Sequence, residues 1–365
     1  MANTKEPVRY AVVGAGNIAQ VAVLPAFAHA EENSRLVALI SGDEEKRRAL
    51  REKYELELDG GYEDFESVLE RGQIDAVYLA TPNSHHLDFT LRAAARGVHV
   101  LCEKPMAPSA EDCRKMMDAC EERELKLMVA YRLHFEEATL AALDVVRSGR
   151  IGEPRLFSAF FTHVVRGGDI RRDPAEAGGA SYDLGVYCIN AARNLFDAEP
   201  LSVMADMIER DGVDDTTTVL LRFPRNQLAQ FCVSNSVAGV SSYRIAGTEG
   251  DLRVEPGFEY VEELEHHLTI DDETKSRSFR KGDQFAPELR YFSDCILDDR
   301  EPEPSGEEGW CDVRVVEAIF ESARSGKPVA LPPHQRKRRP VLAQGDHAPP
   351  IKKPKTVGAP SPSVK

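Results

Sequence analysis

One stretch near the N-terminus constrains most of what this chain can become: Arg9-Tyr10-Ala11-Val12-Val13-Gly14-Ala15-Gly16-Asn17-Ile18-Ala19. An apolar, partly β-branched run passing straight into Gly-x-Gly-x-x-Ala reads as a buried parallel strand, a tight turn and a helix start. Gly14 permits the sharp turn, Gly16 lets backbone N–H groups approach a pyrophosphate, and the small Ala19 lets the helix pack close to the strand. The phosphates then meet the positive end of a helix dipole. A glycine-rich turn alone is often just a turn. Its position directly after a strand makes it the phosphate-binding element of a dinucleotide fold.

Through residue 130, short apolar runs at 10–13, 36–40, 76–80, 98–102 and 127–130 alternate with amphipathic stretches such as 63–71 and 110–123. That alternation predicts an α/β domain, a doubly wound parallel sheet of Rossmann type over residues 1–130. Beyond it the texture turns strand-rich, at 156–164, 216–223, 228–233 and 243–246, with helical patterns at 183–196, 287–298 and 307–325. This predicts a second, α+β domain over 131–331 with a large, mostly antiparallel open sheet. From 332 to 365 the chain is rich in Pro, Lys and Arg and poor in large apolar residues, which predicts a disordered tail that a truncated chain can do without.

A formal net charge of −15 over 365 residues argues against a nucleic-acid surface on the body of the protein. The Arg336-Lys337-Arg338-Arg339 cluster reads as part of a solvated tail. No stretch resembles a membrane span, and the Met-Ala-Asn-Thr-Lys start lacks the apolar core of a signal peptide, so the expected location is the cytoplasm. Seven scattered cysteines agree with that, and no Cys/His spacing suggests a metal.

Ligands of such sheets bind at the carboxyl ends of the strands, so each strand exit is a place to look. After the second strand stand Ser41, Lys46 and Arg47, small hydroxyl and cationic groups suited to a 2′-phosphate, which favours NADP and leaves NAD possible. The alternative has Asp43 fold back onto the ribose, with the cations on an exposed helix face. After the third strand comes Thr81-Pro82-Asn83-Ser84-His85-His86, a polar loop fit to line the cofactor crevice. After the fourth comes Glu103-Lys104-Pro105, with a cation where the crevice should be and a proline that restricts its direction.

The Gly-x-Gly-x-x-Ala turn, the Ala-Thr-Pro-Asn-x-x-His loop and the Glu-Lys-Pro exit, in this order, resemble the glucose-fructose oxidoreductase/inositol dehydrogenase (Gfo/Idh/MocA) family. The resemblance extends through Tyr131-Arg132 and 178–187, covering roughly 7–330. It implies a C-terminal domain whose open sheet frequently forms the subunit interface, hence a homo-oligomer. By carry-over, Lys104 matches the catalytic lysine and Glu103 its neighbour. Gly14, Gly16, Asn17, Ile18, Thr81, Asn83 and His86 match cofactor-lining positions, and Arg132 is placed with them. Asp183 and Tyr187, four apart, share one helix face. A tyrosine in the second place resembles the branch of glucose-fructose oxidoreductase, NADP-linked xylose dehydrogenase and dihydrodiol dehydrogenase, where tyrosine is the acid/base. A phenol is a weak base at neutral pH unless a cation favours the phenolate, and Lys104 is the candidate cation.

The resemblance therefore implies an NADP-dependent oxidoreductase that moves hydride between nicotinamide and a sugar or polyol-like substrate, with Lys104, Tyr187 and Asp183 as its catalytic group. Two alternatives stay open: a non-catalytic NAD(P)-binding regulator of the same fold, and an NAD-linked polyol dehydrogenase.

Overall fold

The protein is described by a computed structural model over residues 6–363; the five-residue start read above and the last two residues of the tail lie outside the described residues. Two compact units emerge, and neither is continuous in sequence. The first runs to Arg132 and takes in 282–309 and 346–361, and the second comprises 133–281, 310–345 and the residues from Pro362.

The first unit holds a six-stranded sheet, β1 (Val8–Val13), β2 (Ser34–Ile40), β3 (Leu58–Gly60), β4 (Ala76–Leu79), β5 (His99–Cys102) and β6 (Leu127–Val129), in the order β3-β2-β1-β4-β5-β6. Every pairing in it is parallel. This is the Rossmann order, with its switch point between β1 and β4. Residues 10–13 are fully buried, as both faces of such a sheet require. The sequence pattern misses β3, because Leu-Asp-Gly is too short to show a period.

The helix after the glycine turn is irregular. A π-turn at Ala19–Val23, an α-turn at Leu24–Ala26 and a 3-10 turn at Phe27–His29 follow one another. Pro25 has no N–H to give, so a regular α-ladder cannot run through it.

The helix Ala286–Leu297, which sequence order assigns to the second domain, belongs to the first unit. Its Ser293 hydroxyl lies 2.8 Å from the Tyr10 hydroxyl and 2.7 Å from that of Ser34, a chain of buried hydrogen bonds worth about 1 kcal/mol each. Leu289 and Phe292 on the same helix are fully buried, each contributing about 1.5–3 kcal/mol. Amphipathic pattern shows that a helix has a core face, not which core it faces.

The second unit holds a nine-stranded sheet: β7 (Pro154–Val164), β8 (Ser202–Arg210), β9 (Val213–Phe223), β10 (Gln227–Ser234), β11 (Ser236–Gly247), β12 (Gly250–Val254), β13 (Leu264–Ile270), β14 (Glu273–Phe279) and β15 (Val329–Ala330). Their order is β14-β13-β12-β11-β7-β10-β9-β8-β15, and only β7 with β10 is a parallel pair. Side chains alternate along the strands: Phe157, Phe161, Val219 and Leu221 are buried in the core. Between them Leu156, Phe160 and Leu220 are exposed, as is Ile208 on β8. Strand β14 escapes a hydrophobic scan because six of its seven residues are exposed and polar.

The tail departs from the expected disorder. In the second unit the Arg336 side chain, 1% exposed, pairs with Glu199 at 2.6 Å and donates to Asn194 at 2.9 Å. Arg339 pairs with Asp197 at 2.6 Å, and the Pro340 carbonyl accepts from Arg147 at 2.6 Å. In the first unit Arg290 bonds Asp346 at 2.7 Å, and Ala348 and Ala359 are buried. The basic cluster is thus used for docking. Composition could not show this, since the acceptors stand far away in sequence.

A chain ending at Leu331 is therefore expected to lose about 1.5–3 kcal/mol, because it removes the Arg336 guanidinium paired with Glu199 and leaves Arg193 paired there. Urea unfolding of the truncated and full chains checks this, and coincident midpoints would show that the tail is dispensable.

Candidate active site

At the β1 exit, Gly14 has φ +102°, and a Cβ there would stand 2.4 Å from the Ala80 carbonyl oxygen. Only glycine permits that approach. Gly16 differs: among the described residues, nothing lies within 4 Å of where its Cβ would be. Asn17 and Ile18, both partly exposed, begin the helical turn that follows. Beside them the Thr81 hydroxyl is buried and, among the described residues, makes no hydrogen bond. An open seat over a glycine, a helix start behind it and an unpaired buried hydroxyl fit the pyrophosphate end of a dinucleotide.

At the β2 exit the structure separates groups that the sequence treats together. Asp43 caps the helix Glu44–Lys53, its carboxylate accepting from the Lys46 amide at 3.0 Å; that bond holds its pKa below the usual carboxylate value. Lys46 Nζ lies 3.2 Å from the same carboxylate. Arg47 donates to the Ser41 carbonyl at 2.7 Å and lies 3.5 Å from Asp59, so its guanidinium braces the loop. Ser41 itself is 5% exposed.

Beyond β4, Asn83 opens the short turn Asn83–His85 and is partly exposed, whereas His86 is fully buried. Its ring meets the carbonyls of Pro105 at 3.0 Å, Met106 at 3.2 Å and Thr81 at 3.1 Å. His86 is a strut between two strand exits. Burial outweighs those bonds and pushes its pKa down to about 4.

The fourth exit carries Lys104, partly buried and followed by a cis bond to Pro105. The Glu103 carboxylate accepts from Tyr78 Oη at 2.9 Å and from the Lys104 amide at 3.3 Å, and burial raises its pKa. Arg132, buried, donates to the Gln284 side chain. Near it stands Glu288, fully buried, whose oxygens have no hydrogen-bond partner among the described residues. Burial, with Glu103 adding to it and Arg132 opposing it, raises the Glu288 pKa well above the carboxylate range. Sequence reasoning missed Gln284 and Glu288, for they arrive on a helix that returns from far along the chain.

In the second unit the π-turn Ser181–Gly185 runs into the helix Val186–Leu195. Of residues 180–190, only Tyr182, Asp183 and Tyr187 are not buried. Arg171 Nε donates to Asp183 at 3.0 Å, and His163 lies 3.4 Å from the same oxygen. The Tyr187 ring packs edge-on against Phe161, 5.6 Å between centroids. Asp214 holds the start of this turn, accepting from the Ser181 amide and the Thr217 hydroxyl, each at 2.8 Å. Gly179, at φ +125°, lets that carboxylate in: a Cβ there would lie 2.0 Å from Asp214 Oδ1. His163 and Asp214 carried no signal in the sequence.

A parallel sheet in Rossmann order, with a glycine seat and polar strand exits, defines a dinucleotide-binding protein. The chain belongs to the Gfo/Idh/MocA oxidoreductase family: the model of its NAD-binding Rossmann domain matches 8–131, and that of a C-terminal domain matches 139–253. A D-xylose 1-dehydrogenase [NADP(+)] of Haloarcula marismortui is 33% identical over 342 residues, covering 90% of this chain and 94% of that one. An aldose-aldose oxidoreductase of Caulobacter crescentus, solved with glycerol, superposes with a TM-score of 0.85 at 34% identity, covering 89% and 100%. A 3-ketoreductase of Actinomadura kijaniata, solved as a tyrosine-to-phenylalanine variant with TDP-benzene and NADP, gives 0.81 at 28% identity, covering 87% and 98%. Among the described residues no helix is long and apolar enough to cross a membrane.

The His86 strut has a pH signature. Its folded pKa of about 4 lies below the ordinary 6.5, so its contribution is complete above pH 6.5 and is lost as pH falls toward 4, about 3 kcal/mol in all. Urea unfolding between those pH values should be less pH-dependent in His86→Asn than in the parent chain. Parallel curves would show that His86 is not buried neutral.

Proposed function

We propose that this chain is an NADP-linked dehydrogenase acting on a CH–OH group of a sugar or polyol. The observation that carries the reading is the start of the 181–195 helical stretch, where Tyr182, Asp183 and Tyr187 are partly exposed and Asp183 is oriented by Arg171. A bound nicotinamide supplies hydride transfer. Tyr187 exchanges the proton of the reacting hydroxyl at its phenolic oxygen, Lys104 favours the ionised phenol, and Asp183 accepts a hydrogen bond from a neighbouring substrate hydroxyl. The named activities of the relatives, a D-xylose 1-dehydrogenase with NADP(+), an aldose-aldose oxidoreductase and a reductase of a dTDP-linked sugar, support that substrate class.

The preference for NADP rests on Asp43. Its carboxylate is engaged by the Lys46 amide and so is poorly disposed to accept the ribose hydroxyls that an NAD site must bind. The exposed Leu156, Phe160, Ile208 and Leu220 on the large sheet support association of copies through that face.

The test is the absorbance of the reduced nicotinamide with aldoses, polyols and dihydrodiols, each with NADP and NAD. Turnover with a sugar or polyol and an NADP preference of roughly tenfold are expected, the size of one charge-assisted contact. Tyr187→Phe keeps the ring, so NADP affinity should persist while turnover falls by about 10²–10⁴-fold. Near-parent turnover in that variant would make Tyr187 structural.

A further inference from the structure

The β2 exit poses a problem for an NADP site. Arg47 is committed to the Ser41 carbonyl and Asp59, and Lys46 stands against the Asp43 carboxylate, so both cations read from the sequence are partly spent within the protein. The C-terminal segment of the first unit runs along the helix that follows this exit. Lys53 Nζ, at the end of the helix Glu44–Lys53, donates to the Lys355 carbonyl at 3.1 Å. Three residues on, Gly358 lies against the first turn of that helix, where its Cβ would be 2.9 Å from Lys46 Cε.

The segment then fastens to the glycine turn. Gln20, fully buried, accepts from the Val357 amide at 2.7 Å and donates to the Val357 carbonyl at 2.9 Å, while also bonding the Ala15 carbonyl at 2.9 Å. Asn17 Nδ2 lies 3.0 Å from the carbonyls of both Ala359 and Pro360. The space over Gly16 stays open, so the segment borders the phosphate seat without filling it. Lys352, Lys353 and Lys355 are all exposed on it.

We infer that residues 352–360 form a strap over the adenosine end of the cofactor site, and that its lysines, rather than Arg47, set the preference for the 2′-phosphate. This inference rests on the dinucleotide reading of the site. A 2′-phosphate is the only charge by which NADP differs from NAD. Cations on a strap anchored at both the glycine turn and the neighbouring helix therefore act on NADP selectively, whereas a strap that merely stabilised the fold would act on both dinucleotides alike.

The test compares three proteins by calorimetric titration with NADP and with NAD: the full chain, a chain ending at Ile351, and the triple variant Lys352→Ser, Lys353→Ser, Lys355→Ser. The shorter chain keeps Arg336 and Arg339, and the triple variant decides the matter if the shorter chain does not fold. Both altered proteins should bind NADP about tenfold more weakly while the dissociation constant for NAD changes less than about threefold. Unchanged NADP affinity, or equal losses for the two dinucleotides, overturns the assignment. A full chain that binds neither dinucleotide overturns the functional reading itself, and the strap with it.

Discussion

The structure turns on a contact that has no room for a side chain. Gly14 donates to the Ile40 carbonyl at 2.8 Å, the Ala80 amide donates to Val13 at 2.8 Å, and the Ala80 oxygen occupies the place of a Cβ at position 14. That approach closes β1 against β4 at the switch point of the sheet. It also determines where Thr81 and the following loop can go. From there His86 ties the loop to the Lys104-Pro105 exit, so one glycine governs the positions of groups some ninety residues away in sequence.

The second unit orients its own groups by another device, buried charge. Arg193, fully buried on the same helix as Tyr187, donates to Asp312 and to Glu199, the latter at 2.7 Å. Asn190 bridges Asp312 at 2.9 Å and His134 at 2.8 Å. Such networks add little net stability compared with apolar packing, but each partner is costly to leave alone, which discourages rotation or sliding of the helix. With Asp214 holding the turn at one end and Arg193 the helix near the other, Asp183 and Tyr187 are carried on a rigid element.

Much of this was legible in the sequence because it is local. The strand-turn-helix at Gly14, the polar strand exits and the Asp183–Tyr187 spacing each lie within a few residues, and the order of the motifs resembles one family. What sequence could not supply was long-range pairing. Arg47 read as a phosphate ligand and braces Ser41; His86 read as a cofactor contact and is a buried strut. The tail read as solvated, because nothing in its composition reveals that Glu199, Asn194 and Gln20 wait for it elsewhere in the chain. Glu288, Asp214 and His163 are isolated letters until the fold places them.

The most direct measurement is diffraction from the full chain crystallised with NADP. The pyrophosphate is expected over Gly16 at the start of the 17–29 helical stretch, with the Thr81 hydroxyl bonded to the cofactor and the adenosine phosphate beside residues 352–358. Density for the dinucleotide at another place, or none at saturating NADP, would contradict the assignment of the β1–β4 crevice as the cofactor seat.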